Sequence, residues 1–205
     1  VARAISGFEK VTMAVRPQDV DEARLALRKG IEILEIPLDD SWTRDIGPIF
    51  VVDGDDAVAG VHWRFNAWGN TYIGYAEDAA FGQRVLEALD MRRYEGPMIL
   101  EGGSVTVDGQ GTLITTEQCL LNPNRNPSLT RQQIEERLAL YLGITKVVWL
   151  GVGLEDDETD GHVDNIACFA GPGRVMLYAP YEKGGLNDRV MRDNVARLKA
   201  ARDAR

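Results

Sequence analysis

Apolar positions along the chain alternate between a helical and an extended period. Asp19 to Arg28 has Val20, Ala23 and Leu27 on one helical face, with Asp19 placed to cap, Glu22 three residues on, and Gly30 to stop it. Ile31–Leu38 follows as a strand. A polar loop, Asp39 to Gly47, then leads to strands at Ile49–Val52 and Ala57–Trp63, joined at the turn signal Asp53-Gly54.

This order recurs. A helix over Asp78–Leu89 presents Phe81, Val85 and Ala88. The short apolar run Pro97–Leu100 and the polar turn Glu101-Gly102-Gly103 come next, then strands at Val105–Val107 and Thr112–Thr115 around Asp108-Gly109. The third unit opens with Thr130 and Gln133 as a capping box and spaces Ile134, Leu138 and Tyr141 helically before Gly143. Lys146–Leu150 is its strand and Gly151–Val163 its loop. Asn165–Ala170 and Arg174–Tyr178 pair across Gly171-Pro172-Gly173. A fourth helix begins near Asn187 and presents Met191, Val195 and Leu198.

Three supersecondary units of similar length predict an α/β architecture built by repetition. The polar loops carry Asp45, Glu101 and His162, separated by 56 and 61 residues. Arranged about an axis, the units would gather these residues and Asp164 at one end. An ordinary α/β sandwich with acidic surface loops accounts for the same periodicity.

Composition narrows the classes. At 205 residues, 44% hydrophobic, the chain is long enough for one ordinary domain and too apolar for disorder. No run approaches the ~18 apolar residues of a membrane span. Two cysteines do not make a disulfide scaffold, and a net charge of −9 argues against a nucleic-acid partner while suiting a cationic one. The chain opens at Val1 within an amphipathic stretch and ends at Arg205 within a helical pattern, so a single domain incomplete at both ends is expected.

Trp42 stands in a polar loop, where an indole is costly to expose and often lines a pocket. Glu101 ends an apolar run, backed by two glycines that allow close approach. In an extended segment, His162 and Asp164 share one side. The acidic run Asp156-x-Glu158-x-Asp160-Gly161 imitates a calcium loop, but its twelfth position is Ala167. His162 and Asp164 lack the companions of a metal site. Cys119 and Cys168 lie in apolar runs and read as buried hydrophobes. Opposed carboxylates suit a planar guanidinium, and His162 could then pass a proton to a leaving nitrogen.

Four segments carry a resemblance: SWTRDIGP (Ser41–Pro48), FNAWG (Phe65–Gly69), EGGSVTVDGQGTLITTEQCLLNPNRNP (Glu101–Pro127) and GHVDNIACF (Gly161–Phe169). Together they resemble the agmatine deiminases of the guanidine-modifying superfamily. The resemblance implies a pseudo-fivefold α/β propeller, the pentein fold, of which this chain would hold about three blades and one helix. It implies hydrolysis of agmatine to N-carbamoylputrescine and ammonia, in putrescine biosynthesis, in the cytoplasm and without a cofactor. Asp45 and Asp164 would hold the guanidinium, Glu101 would support His162, and His162 would be the general acid and base. Trp42 and Asp160 would line the substrate channel. The family's nucleophilic cysteine lies in a Gly-rich segment that neither Cys119 nor Cys168 matches. A deiminase of free or peptidyl arginine, and a module that binds guanidinium or amines without turnover, remain open. So does a homo-oligomer.

Overall fold

The computed structural model describes residues 1–27 and 29–205. Arg28, the expected end of the first helix, lies outside the described residues. After a short helix, α1 (Ala2–Ile5), strand β1 (Val11–Val15) runs parallel to β2 (Ile31–Glu35), with α2 (Val20–Ala26) between them. β1 was not foreseen as a strand. Asp19 does not cap α2. Its carboxylate instead accepts from Arg16 Nε at 2.6 Å, because Pro17–Asp19 form a 3-10 turn that leads into the helix.

The loop after β2 contains a single helical turn, α3 (Thr43–Ile46). β3 (Ile49–Val52) and β4 (Val58–Arg64) form an antiparallel hairpin. The turn α4 (Ala67–Asn70) and helix α5 (Ala76–Ala88) lead to β5 (Arg93–Ile99), which pairs parallel to β4. β5 starts earlier than its apolar run because it is an edge strand, where Pro97 breaks no ladder.

The next unit is built alike. β6 (Thr106–Val107) and β7 (Thr112–Thr116) are antiparallel. After α6 (Glu117–Leu120) and α7 (Arg131–Leu142), β8 (Lys146–Leu150) lies parallel to β7. The expected capping box on α7 is formed, and Gly143 ends the helix in the left-handed conformation. β9 (Ala167–Gly171) and β10 (Arg174–Leu177) form a further hairpin before α8 (Leu186–Ala200).

The architecture is α/β with four small sheets among the described residues, two of three strands and two of two. The repeat begins at a different point from the one the periodicity suggested. Each three-stranded sheet is a hairpin, then a helix, then a parallel strand. The polar loop is therefore the link from one sheet to the next, which places its residues at sheet junctions.

β7 is buried at every position. Leu113 joins a core with Trp63, Leu120, Ile134 and Leu138, whereas Ile114 joins one with Leu150, Val163, Ile166 and Met191. Each such side chain contributes roughly 1.5–3 kcal/mol on full burial. The end of β7 also ties two loops together. Thr115 Oγ1 donates to the Ser104 carbonyl at 2.8 Å, and Thr116 Oγ1 to that of Gly161 at 2.6 Å.

Candidate active site

Three junctions meet at Gly103. A Cβ on this residue would lie 2.6 Å from His162 Nδ1 and 2.7 Å from both Asp164 Oδ2 and Asp45 Oδ1. Gly102 is needed as well, since a Cβ there would strike the Arg44 carbonyl. Two consecutive glycines thus let the turn after Glu101 press against α3 and the His162 loop.

Each polar side chain is held by its own segment. Asp45, on α3, accepts from the Gly103 N–H at 2.8 Å and from Trp68 Nε1 at 3.1 Å. His162 is buried, with its Nδ1 3.7 Å from Asp45 Oδ1 and its Nε2 3.9 Å from Glu101 Oε2. These gaps exceed hydrogen-bond length, and both His162 Nε2 and Glu101 Oε2 lack a partner. Catalytic hydrogen bonds often tighten only when substrate is bound. Glu101 is fully buried and its other oxygen accepts from Arg125 Nε at 2.6 Å.

The segment after His162 is not extended as expected. Val163–Asn165 form a 3-10 turn. His162 and Asp164 nevertheless meet, because the turn folds around Gly103. The loop before them is organised by Asp157, which accepts from the Thr159 N–H and hydroxyl and from the Gly161 N–H. Burial opposes its charge, but these donors prevail and hold its pKa below the usual range. Asp164 moves the other way. Partial desolvation pushes its carboxyl up and nearby Asp45 adds to this, while His162 pulls against them.

The cleft above Gly103 has a volume of about 470 Å³. Asp45, His162 and Asp164 line it, with Trp42, Trp68, Tyr72, Asp40 and Glu158 further out. Trp42 is half exposed and its Nε1 donates to Asp40 Oδ2 at 3.0 Å. Tyr72 donates to Glu158 Oε2 at 2.6 Å. Asp160 does not line the cleft. Its carboxylate accepts from Asn124 Nδ2 at 2.8 Å and Arg125 Nη1 at 3.0 Å. Glu101 lies beneath the cleft, behind His162. Among the described residues, no lysine or arginine is within ion-pair distance of Asp45 or Asp164.

Glu101, Cys119 and His162 place one potential metal-donor atom each within 4.8 Å of the others. Arg125 already occupies one Glu101 oxygen, and burial pushes the Cys119 thiol well up, so this cluster is set for protons rather than a thiolate-bound ion. Cys168 lies on β9 and does not line the cleft.

Sequence reasoning missed Trp68, Arg125, Asp157 and the outer acids. Arg125 had one available signal: a charged residue inside NPNRNP, flanked by hydrophobic segments, must find partners if it is buried.

The family model described as Porphyromonas-type peptidyl-arginine deiminase matches residues 1–205. The chain belongs to this family. Among family relatives, an agmatine deiminase of Pseudomonas syringae pv. syringae is 51% identical over 184 residues, covering 86% of this chain and 50% of that protein. The agmatine deiminase of Medicago truncatula is 47% identical over 190 residues, covering 86% and 51%. The solved agmatine deiminase of Enterococcus faecalis superposes with a TM-score of 0.95 at 39% identity, over 99% of this chain and 57% of that one. The chain thus spans about half the length of the curated relatives it matches.

Proposed function

We propose that this chain supplies the guanidinium-binding and proton-transfer part of an agmatine deiminase. The observation that carries the reading is the meeting of Asp45, Asp164 and His162 at Gly103 in a cleft where, among the described residues, no lysine or arginine lies within ion-pair distance of these carboxylates. A planar guanidinium satisfies both by paired charge-assisted hydrogen bonds and offsets the burial and the Asp45 repulsion that raise Asp164.

In this reading a thiolate from outside the described residues attacks the guanidinium carbon. His162 gives a proton to the departing ammonia, with Glu101 behind it to balance the imidazolium charge. Water, deprotonated by His162, then attacks the same carbon, expels the thiolate and leaves the ureido product. Cys119 is unsuited to the attack, being buried and protonated beneath His162.

The outer cleft favours agmatine over arginine. Asp40 and Glu158 suit a second positive group and would repel an α-carboxylate. Trp42 and Trp68 suit the methylene chain between the two charges. The likeness to agmatine deiminases supports the same choice and, with it, a five-bladed propeller for the whole protein, one domain of which this chain is part. The free thiols of Cys119 and Cys168 suit a reducing cytoplasm.

The test is turnover by the protein as encoded, scored as ammonia and ureido product from agmatine and from arginine. Agmatine should be preferred by at least about tenfold, the worth of one well-placed charged contact. A preference for arginine would overturn the amine assignment, and no product from either would refute the deiminase.

A further inference from the structure

Among the described residues, Arg125 is the one cation hydrogen-bonded to Glu101, and it does not itself line the cleft. Its side chain and that of Glu101 are both fully buried. Four of its five N–H groups are used. Nε donates to Glu101 Oε1 at 2.6 Å, Nη1 to Asn124 Oδ1 at 2.8 Å and Asp160 Oδ2 at 3.0 Å, and Nη2 to the Thr159 carbonyl at 3.0 Å. One guanidinium therefore bridges the Glu101 turn to the loop that carries His162.

A second strand of observation leads to the same residue. Ala67, Trp68, Gly69 and Asn70 all have positive φ, between 51° and 88°. Such a run is costly for three non-glycine residues and persists only where the surroundings enforce it. Asn66 Oδ1 caps it by accepting from the Gly69 N–H at 3.0 Å, and Asn66 Nδ2 donates to the Asn124 carbonyl at 2.9 Å. At Gly69 a Cβ would collide with Asn124 and lie 2.7 Å from Arg125 Nη1. The same left-handed turn aims Trp68 Nε1 at Asp45.

We propose that Arg125 is a positioning residue for the reaction. It keeps the buried Glu101 carboxylate charged and leaves its free oxygen facing His162, while the Asn66–Asn70 turn locks Arg125 in place and orients Asp45 through Trp68. This rests on the deiminase reading for its kinetic consequence but not for its electrostatic one. A fully buried carboxylate without a cation takes up a proton. Loss of Arg125 therefore removes the anion beside His162. Among the described residues, Asp45, Asp164 and the protonated thiol of Cys119 also lie near His162, and none of them supplies an anion in place of Glu101 at Nε2.

The experiment compares Arg125→Gln, Arg125→Lys and Glu101→Gln in the protein as encoded. With agmatine, Arg125→Gln should lower kcat at least about hundredfold while KM changes less than about threefold, because the lost contact is not to substrate. Arg125→Lys should recover at least about tenfold of kcat, since it restores charge but not the fork. Independently of turnover, the imidazole C–H signals of His162, read at one fixed pH, should move in Arg125→Gln relative to wild type. Those of His62 serve as the reference that stays in place. Glu101→Gln must move the His162 signals as well, and it decides the matter if Arg125→Gln does not fold. His162 signals left unmoved in the variants would overturn the proposal, as would a selective rise in KM. A wild type without turnover would refute the deiminase reading, and the His162 signals would then stand as the test of Arg125.

Discussion

Two sets of carboxylates sit at the two ends of the same short strands and behave oppositely. Past β3 and β6, Asp53 and Asp108 each fold back on their own turn. Asp53 Oδ1 accepts from the N–H groups of Asp55 and Ala57, both at 2.9 Å, and Asp108 Oδ1 from those of Gln110 at 2.8 Å and Thr112 at 2.9 Å. Ahead of the same strands, Asp45 and Glu101 find their partners 23 to 61 residues away, in Trp68, Gly103, Arg125 and His162. The hairpin carboxylates draw their hydrogen bonds from within their own turns and serve folding. The junction carboxylates are left incomplete until other sheets arrive, and Glu101 even then keeps one oxygen unpaired. That dependence on distant segments is what brings carboxylates from separate junctions together at one end.

The contrast is broken most severely by His162→Ala. Ammonia release from agmatine by the protein as encoded should fall by about 10²–10⁴-fold, the usual worth of a positioned acid and base. Asp45→Asn should then weaken agmatine binding, read by calorimetry, by about 2–5 kcal/mol, as for one member of a buried charged pair. Gly103→Ala probes crowding alone. The added methyl meets only side-chain ends, so the fold should hold while activity drops about hundredfold from misplacement at the reacting centre. Retained activity in this variant would mean that the three side chains do not act together.

Asp108→Ala should do the reverse, lowering stability by about 1 kcal/mol in denaturant with kcat unchanged. Burial opposes the Asp108 charge, but its two backbone donors win and hold the pKa below normal. Its contribution is therefore present above the ordinary aspartate range and fades as pH falls through the lowered value. The smallest effect is expected at His62, whose pKa burial lowers, with Glu95 opposing and Arg93 assisting. The unfolded chain binds that proton more readily, so stability should decline as pH drops below about 6.5. His62→Gln should flatten this slope in thermal denaturation, without altering the decline due to other groups.

Much of the fold was legible because its determinants are local. The capping box Thr130–Gln133 with Gly143, the hairpin turns at Asp53 and Asp108, and the helical face of Ile134 and Leu138 all depend on residues within one or two turns. β1 was missed because a five-residue strand with Thr12 inside it shows little alternation. Asp19 was misread because Arg16, three residues upstream, captures its carboxylate before the helix can.

Of the candidate site, residue types and their recurrence at junctions could be read directly. Which groups share the cleft could not. Asp160 turns to Arg125, whereas Trp68 turns to Asp45, and neither choice follows from spacing. Local hydrogen bonds and periodicity need only neighbouring residues, and so the sequence by itself determined the order of strands, helices and turns. The burial of Arg125 with Glu101, the left-handed turn at Trp68 and the meeting at Gly103 were decided only by tertiary packing, since each exists only when distant segments together exclude water and supply the missing partner.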